Sequence, residues 1–197
     1  RGEVEWISRL YPDARSYLDV YDGFGQLGPR SVYAHCIWLD DTDRARMAAT
    51  GAAMSFCPTS NLFLGSGLFD LAIARTRGIR VGIGTDVGAG TSFSMLQTMN
   101  EAYKVLQLNG QRLSAESAFH LATLGGAESL YLEDRIGNFL PGKEADLVVL
   151  DPQATPLLAR RTAACPTLGE RLFVLMMLGD DRTVAATHVL GVPAWRR

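Results

Sequence analysis

Two ionisable side chains follow short apolar segments of strand type. His35 lies near the carboxyl end of the segment SVYAHC, and Asp86 follows the segment RVGIGT. A third apolar segment stops at Pro58 and leads into the polar residues 58–61, PTSN. In parallel βα architectures, and in barrels above all, the active site lies at the carboxyl ends of the strands. The sequence therefore predicts three consecutive strands that each deliver polar groups to one rim.

The glycine-rich segment GIGTDVGAGTS suggests at first a phosphate-binding loop. It lacks the GK[ST] of a P-loop, and Asp86 interrupts the G-x-G-x-x-G pattern of a dinucleotide site. A carboxylate at this position would repel an anion, but it is suited to a cation or to taking a proton from water. Glycines at positions 82, 84, 88 and 90 leave the backbone free to expose Asp86 without crowding a ligand.

His35 and Asp86 could also have purely structural roles. His35 could be a core histidine satisfied by a backbone carbonyl, and the sequence leaves that alternative open. Asp86 could form an Asx turn that caps the next helix. This second alternative is the weaker one, because Thr91 or Ser92 stands just before that helix and is the better N-cap.

The remaining histidines and the cysteines are interpreted as structural. His120 and His188 have no acidic or histidine neighbour at metal-ligand spacing. Cys36 and Cys57 lie at strand ends without an adjacent base to activate a thiol, so both are predicted to be small packing residues. An odd number of widely spaced cysteines, without a CxxC pair, argues against disulfides and favours a reducing, cytoplasmic location.

Strands and helices alternate along the first part of the chain, which predicts an α/β fold with parallel βα units. Apolar strands without polar alternation fit a sheet that is covered on both faces. The expected segments in chain order are a helix from Val4 to Leu10, the strand SVYAHC, a helix over LDDTDRARMAAT that starts at Asp40, Asp41 or Thr42, the strand GAAMSFC, the helix FDLAIARTRG, the strand RVGIGT, a long helix over SFSMLQTMNEAYKVLQLNG, and a helix over SAESAFHLATLGGAESLY that breaks at Gly125-Gly126.

After that last helix the pattern changes. ADLVVLD and VAATHVLG are strands without βα partners, and they are predicted to pair in a separate small β unit, with the helix TLGERLFVLMMLG between them. RTVAATHVLGVPAW alternates like one sheet strand. We therefore predict two domains, residues 1–140 and residues 141–197.

Composition excludes several classes of function. The 197 residues carry a formal net charge of −2 and include no run of about 18 apolar residues, so neither nucleic acid nor a membrane is an expected partner. The chain opens in a helical pattern and without a methionine, which suggests a beginning inside a larger fold.

Four segments together give the chain a recognisable pattern: AHCIWLDD, FCPTSNLFLGSGLFDL, GIGTDVGAGTSFSMLQTMNEAYK and GNFLPGKEADLVVLDP. They resemble guanine deaminases of the metal-dependent amidohydrolase superfamily over nearly the whole chain. The resemblance implies the C-terminal part of a (β/α)8 TIM barrel, namely its last three βα units, plus part of a flanking β-sandwich. It also implies one zinc ion and hydrolysis of guanine to xanthine and ammonia.

The resemblance assigns roles to two residues. Asp86 matches the aspartate that ligates the metal and shuttles the proton of the attacking water, and His35 matches a histidine that orients this water or the tetrahedral intermediate. If His35 donates a hydrogen bond, it would stabilise charge on the attacking oxygen. The family's H-x-H and H-x-x-E motifs have no counterpart here, so Asp86 is the single metal ligand expected from this chain.

An incomplete ligand set predicts that the segment is inactive by itself and holds little zinc. The complete protein is expected to act on a small purine and to form a homodimer. Two alternatives stay open. One is another amidohydrolase that acts on a different heterocycle, such as an adenosine-type deaminase or a chlorohydrolase, and the other is a non-catalytic α/β binding module.

Overall fold

The computed structural model describes residues 2–197. Within these residues the strands form two separate three-stranded sheets. The strands are β1 (Val32–Ala34), β2 (Ala53–Phe56), β3 (Val81–Ile83), β4 (Leu147–Leu150), β5 (Val184–Val189) and β6 (Val192–Arg196). The helices are α1 (Gly2–Leu10), α2 (Tyr17–Gly23), α3 (Asp41–Thr50), α4 (Pro58–Phe63), α5 (Leu71–Thr76), α6 (Met95–Leu108), α7 (Ala115–Ala122), α8 (Leu124–Ser129), α9 (Pro156–Ala163) and α10 (Leu168–Leu178).

The first sheet is parallel, with β2 between β1 and β3. Ala34 is in register with Ser55, and Ser55 with Gly82, so the three strands end at one edge. Helix α3 connects β1 to β2, and helices α4 and α5 connect β2 to β3. The three predicted strands and their parallel βα connections are therefore confirmed.

The core lies between this sheet and its helices. Phe56 of β2 is fully buried and stacks on Phe69, with the two ring centroids 4.6 Å apart. Met47 of α3 and Met99 of α6 are buried in the same cluster. Apolar side chains from both strands and helices fill this layer, which explains why the strand segments read as continuous apolar runs.

Helix α3 begins where the sequence predicts. Asp40 is its N-cap: the Asp40 side chain accepts the Asp43 N–H, and the Asp43 side chain accepts the Asp40 N–H. Arg15, from the segment before α2, forms ion pairs with both carboxylates. The capping box satisfies helix-terminal N–H groups that would otherwise lack partners, and Arg15 ties this helix start to the segment before α2.

Two helix boundaries differ from the sequence prediction. Helix α6 is capped by Ser94, rather than by Thr91 or Ser92. The break between α7 and α8 falls at Thr123, and Gly125 and Gly126 lie inside α8. These glycines allow close packing instead of a break.

The packing around Gly125 supplies the reason. A Cβ at Gly125 would lie 3.1 Å from the carbonyl oxygen of Val81 in β3 and 3.0 Å from that of His120. The two backbones thus approach more closely than a side chain at this position would allow. Helix α8 therefore sits directly against β3, the strand that leads to Asp86.

The second sheet is antiparallel, in the order β4, β5, β6. The predicted pairing of ADLVVLD with VAATHVLG is confirmed, because Leu147 pairs with His188 and Val148 with Thr187. The segment RTVAATHVLGVPAW is a hairpin of β5 and β6 rather than one strand. Leu190 and Gly191, both at positive φ, form its turn.

Helix α10 lies between β4 and β5 in the sequence and packs against α6 and α7. Helices α2, α4 and α9 are short elements that the sequence analysis did not predict. No helix among residues 2–197 combines the length and the apolar character that crossing a membrane requires.

Candidate active site

Three side chains with metal-binding or acid–base chemistry meet at the carboxyl edge of the parallel sheet. His35 follows β1, Cys57 follows β2 and Asp86 comes three residues after β3. Nε2 of His35 lies 3.7 Å from Oδ2 of Asp86. One ligand atom of each of the three residues lies within 4.8 Å of the others. The structure thus brings together the two residues that the sequence analysis selected, and it adds Cys57.

The backbone at this edge is strained. His35, Cys36 and Asp86 have φ angles of 67°, 51° and 49°, in the left-handed region that residues other than glycine seldom adopt. The His35 N–H still donates to the carbonyl of Ser55, which extends the β1–β2 ladder by one residue. The strand therefore ends just before His35, and both His35 and Asp86 reach the edge from a left-handed backbone conformation.

The loop that carries Asp86 closes on itself through Gly90. The Gly90 N–H donates to the carbonyl oxygen of Asp86, and a Cβ at Gly90 would lie 1.8 Å from the carbonyl oxygen of Thr85. A side chain at this position would collide with backbone atoms that cannot move independently. Gly90 therefore makes the tight turn possible, while Asp86 stays 39% exposed at its side chain.

His35 and Asp86 do not have the structural roles that the sequence analysis considered for them. Helix α6 is capped by Ser94, so Asp86 is not its cap. The partner of His35 Nδ1 is Oδ1 of Asn61, at 2.7 Å, rather than a backbone carbonyl.

Sequence reasoning placed Asn61 only in the polar segment after the second strand. Pro58 occupies the first position of α4, where its missing N–H costs nothing. The short helix turns Ser60 and Asn61 into the interior, where both are buried. Ser60 Oγ and Asn61 Nδ2 have no hydrogen-bond partner there. The sequence signal that could have pointed to Asn61 is the polar pair Ser60-Asn61, which follows an apolar strand and a helix-initiating proline.

The two cysteines near the site lie in surroundings that disfavour the charged thiolate. Burial raises the pKa of Cys57, although the Ser55 hydroxyl partly opposes this, and burial raises the pKa of Cys36 to about 12. A thiol is a weak nucleophile and a weak metal ligand compared with its thiolate. This agrees with the prediction that neither cysteine is an activated nucleophile.

His120 and His188 do not belong to the cluster. His120 Nε2 lies 3.6 Å from a carboxylate oxygen of Glu128, a neighbour that becomes close only through the turn between α7 and α8. His188 is part of the antiparallel sheet, in β5.

A cavity of about 460 Å³ opens beside His35. Its wall includes aromatic side chains from α2, from β1 and from the segment after β1, namely Tyr17, Tyr21, Tyr33 and Trp38. This volume falls in the range of small-molecule pockets. His35 therefore belongs both to the wall of a ligand-sized cavity and to the cluster with Asp86.

The nitrogen, oxygen and sulfur donors of the cluster fit zinc by type, because zinc accepts all three. A catalytic zinc site needs three protein ligands and an open position. At 3.7 Å the carboxylate and the imidazole are too far apart for a direct hydrogen bond, but one bridging water would bring them within reach of proton transfer without a metal. The arrangement thus suits hydrolytic chemistry with a cation and an acid–base group.

The fold and this site define the class of protein. A model of the amidohydrolase family matches residues 1–193. The chain therefore belongs to the amidohydrolase family, and its α/β fold is that of the family.

Among individual proteins, the chain is 55% identical over 197 residues to the guanine deaminase of Escherichia coli (strain K12). The alignment covers 100% of this chain and 45% of that protein. It superposes on the solved structure of E. coli guanine deaminase with a TM-score of 0.98, covering 100% of this chain and 46% of that one. The resemblance to guanine deaminases predicted from the sequence is confirmed. The chain spans about half the length of these relatives.

Two more distant structures contain ligands. Guanine deaminase from C. acetobutylicum, solved with bound guanine in the active site, is 27% identical with a TM-score of 0.87, covering 98% of this chain and 46% of that one. An adenosine deaminase from Xanthomonas campestris, solved with bound zinc, is 26% identical with a TM-score of 0.82, covering 98% of this chain and 42% of that one.

Proposed function

We propose that the full-length protein that contains this chain hydrolyses guanine to xanthine and ammonia with the help of one zinc ion. The observation that carries the proposal is the approach of His35 Nε2 to Asp86 Oδ2, at 3.7 Å, on the carboxyl edge of the sheet. It is supported by 55% identity over the whole chain to a guanine deaminase. Support for the substrate comes from a structural relative that binds guanine.

Asp86 is the residue of this chain that we propose as a zinc ligand. Its carboxylate is partly exposed at the rim, and a carboxylate oxygen is an ordinary zinc ligand. Cys57 is not proposed as a ligand, because it is buried directly after β2 and the sequence analysis interprets it as a packing residue. When bound, zinc would lower the pKa of a coordinated water toward about 7. The other ligands would come from a part of the protein outside this chain.

Acid–base work would fall to the two rim residues. One carboxylate oxygen of Asp86 would accept the proton of the attacking water and pass it toward the leaving amine. His35 would orient the attacking oxygen from the neighbouring strand end. His35 directly follows β1, and Asp86 lies in the tight turn closed by Gly90, so both side chains are brought to the same edge before substrate binds.

We further propose that the three parallel βα units are the last units of a (β/α)8 barrel, within residues 1–140. Residues 141–197 would contribute strands to a flanking β-sandwich, with α10 packed back on the barrel helices. The full-length enzyme would be a cytoplasmic homodimer, and sedimentation velocity would test that state.

The substrate is tested with the zinc-loaded full-length protein. Guanine, adenosine and a chlorinated triazine are supplied separately, and release of ammonia or chloride is measured together with formation of xanthine. We expect ammonia and xanthine from guanine, at a kcat/KM at least about tenfold above that for either competitor. An enzyme that leaves guanine unchanged would refute the proposal. Faster turnover of adenosine would instead favour the chemistry of the more distant zinc-containing relative.

A non-catalytic module is distinguished by the rim residues themselves. Asp86→Ala is expected to lower both turnover and zinc content, and His35→Ala to lower turnover while zinc stays bound. Unchanged turnover and zinc content in both variants would favour the module. The 197-residue chain by itself is expected to hold well under one zinc per molecule, and stoichiometric zinc would show that its ligand set is complete.

A further inference from the structure

The contact between His35 and Asn61 links two elements that are 26 residues apart in the sequence. His35 Nδ1 lies 2.7 Å from Oδ1 of Asn61, which is a short and well-formed hydrogen-bond distance. Asn61 belongs to α4, after β2, whereas His35 directly follows β1. The other ring nitrogen, Nε2, faces Asp86. Asn61 thus holds the side of the imidazole ring that does not face the reacting groups.

Asn61 is fixed more firmly than His35. The whole residue is only 1% exposed. The backbone N–H of Asn61 donates to the backbone carbonyl of Cys57, and the backbone carbonyl of Asn61 accepts the N–H of Ser66. The His35 side chain, by contrast, is 41% exposed and stands at a strained strand end. The buried amide is therefore the rigid partner, and the orientation of the imidazole ring follows from it.

From this geometry we propose that Asn61 is the positioning residue of His35: its carbonyl oxygen holds the proton of the neutral ring on Nδ1 and leaves Nε2, which faces Asp86, as an acceptor. A carbonyl oxygen has no proton to donate, so with Oδ1 of the amide facing the ring, Nδ1 is the donor in this hydrogen bond. In a neutral imidazole the nitrogen that donates determines that the other carries the lone pair.

A proton on Nδ1 changes the role expected for His35 in catalysis, a role that itself rests on the proposed function. The neutral ring cannot donate from Nε2, so it does not stabilise an oxyanion in that state. It can accept one proton on Nε2, which converts it to the imidazolium, while the proton on Nδ1 stays hydrogen-bonded to Oδ1 of Asn61. Only the imidazolium could then donate from Nε2. His35 would therefore act first as an acceptor on the side that faces Asp86.

An amide suits this position better than a carboxylate. A carboxylate at residue 61 would place a second negative charge beside the imidazole, in addition to that of Asp86. Burying this carboxylate would also carry a large desolvation penalty. Asn61 supplies an acceptor without a charge. Its Nδ2 is left buried without a partner, a cost borne on the side of the amide that does not touch His35.

The tautomer is measured directly, without turnover. The full-length protein is stripped of metal, labelled with 15N-histidine and held at about pH 9, where histidine side chains are ordinarily neutral. Long-range 1H–15N correlation then shows which ring nitrogen carries the proton, and His35→Gln identifies the His35 signals. We expect a protonated Nδ1 and an unprotonated Nε2. A protonated Nε2 in the wild-type protein would overturn the inference, because the amide would then be donating from Nδ2.

Three variants test whether Asn61 causes this state. Asn61→Leu has nearly the same size but no acceptor, and we expect a substantial share of the proton to move to Nε2. Asn61→Asp keeps an acceptor and should keep the proton on Nδ1. Ser60→Ala, on the same short helix and equally buried, removes a hydroxyl without a partner and should change nothing. An Asn61→Leu spectrum identical to that of the wild type would contradict the inference, and the wild-type spectrum remains decisive if this variant does not fold.

Kinetics separate positioning from general damage. Asn61→Leu is expected to lower kcat about 10- to 100-fold, by analogy with removal of the hydrogen-bond partner of a metal-ligating histidine, with little change in KM. Asn61→Asp should recover part of the loss. A change confined to KM would contradict a positioning role. If guanine is not a substrate but Nδ1 carries the proton, the proposed function fails while the assignment of Asn61 stands.

Discussion

The two sheets of the molecule use the same unusual backbone conformation for different purposes. In the antiparallel sheet, Leu190 and Gly191 are at positive φ in the turn between β5 and β6, where a tight hairpin requires it. In the parallel sheet, His35 and Cys36 are at positive φ where β1 simply ends. The first pair reverses the chain, whereas the second pair brings a functional side chain to the rim.

The two regions also differ in what their strands expose. The parallel strand β2 is almost entirely buried, and polar groups gather at its carboxyl edge. The antiparallel sheet leaves large apolar side chains partly exposed along its strands, including Val148, Val189 and Trp195. Strain and polar chemistry thus coincide at the edge of the parallel sheet. This is the pattern expected of a functional site on a rigid scaffold.

The largest expected difference between the regions is in activity. Asp86→Asn removes the carboxylate that would accept a proton, and we expect turnover by the full-length protein to fall on the order of 10²- to 10⁴-fold. Asp146→Asn is the matched change beside the antiparallel sheet, where this side chain accepts the Leu190 N–H at 2.8 Å. It should leave turnover unchanged in the same ammonia-release assay. Equal effects of the two variants would abolish the distinction between the sheets.

The next difference is in stability. Phe56→Ala removes a fully buried ring from β2, and we expect it to lower the free energy of unfolding by about 3–5 kcal/mol, measured by denaturant titration. Val148→Ala shortens a side chain of β4 that is 54% exposed, and it should cost less than about 0.5 kcal/mol. If Val148→Ala cost as much as Phe56→Ala, the second sheet would be covered in solution.

A smaller effect tests the loop that carries Asp86. Gly90→Ala forces a Cβ against the carbonyl of Thr85, and we expect a loss of about 1–3 kcal/mol in stability together with reduced turnover. Gly28→Ala places a Cβ in open space, so it should change stability by less than about 0.5 kcal/mol. Thermal unfolding of both variants checks this. Full activity in Gly90→Ala would show that the position of Asp86 does not depend on this turn.

The smallest effect concerns pH and the entry to β5. Arg182 beside Asp180 lowers the pKa of that carboxyl group, which also caps the turn before β5. A lowered folded-state pKa means that the ion pair adds stability above the ordinary aspartate pKa and loses it as pH falls through the folded value. Asp180→Asn should therefore lower stability at pH 7 by less than about 1 kcal/mol, and not at acidic pH. A difference that stays constant from about pH 7 to pH 2 would rule out this ion pair as its source.

Several features of the fold could be predicted because they depend on neighbouring residues. The capping of α3 by Asp40 and the strand character of the segment before His35 follow from short sequence patterns. The boundary at Thr123 could not be predicted, because Gly125 looks like a helix breaker until β3 is placed beside it. The hairpin at Leu190 was missed for a related reason, since a leucine at positive φ carries no turn signal in the sequence.

The candidate site likewise has some features that the sequence predicts and others that it does not. His35 and Asp86 could be selected from the sequence, because both follow apolar strand segments and active sites lie at the carboxyl ends of parallel strands. Their distance of 3.7 Å, the burial of Asn61 and its contact with His35 could not.

By itself the sequence determined the family, the parallel βα order and the two rim residues, since composition, period and strand-end chemistry are local properties. The tertiary structure alone decided which residues touch: Asn61 meets His35 across 26 residues, and Gly125 meets β3 across more than forty. Contacts of this kind arise from packing, in which the shape of one element is set by another far along the chain. The proton position on His35 is therefore a property of the fold, although the histidine itself is plain in the sequence.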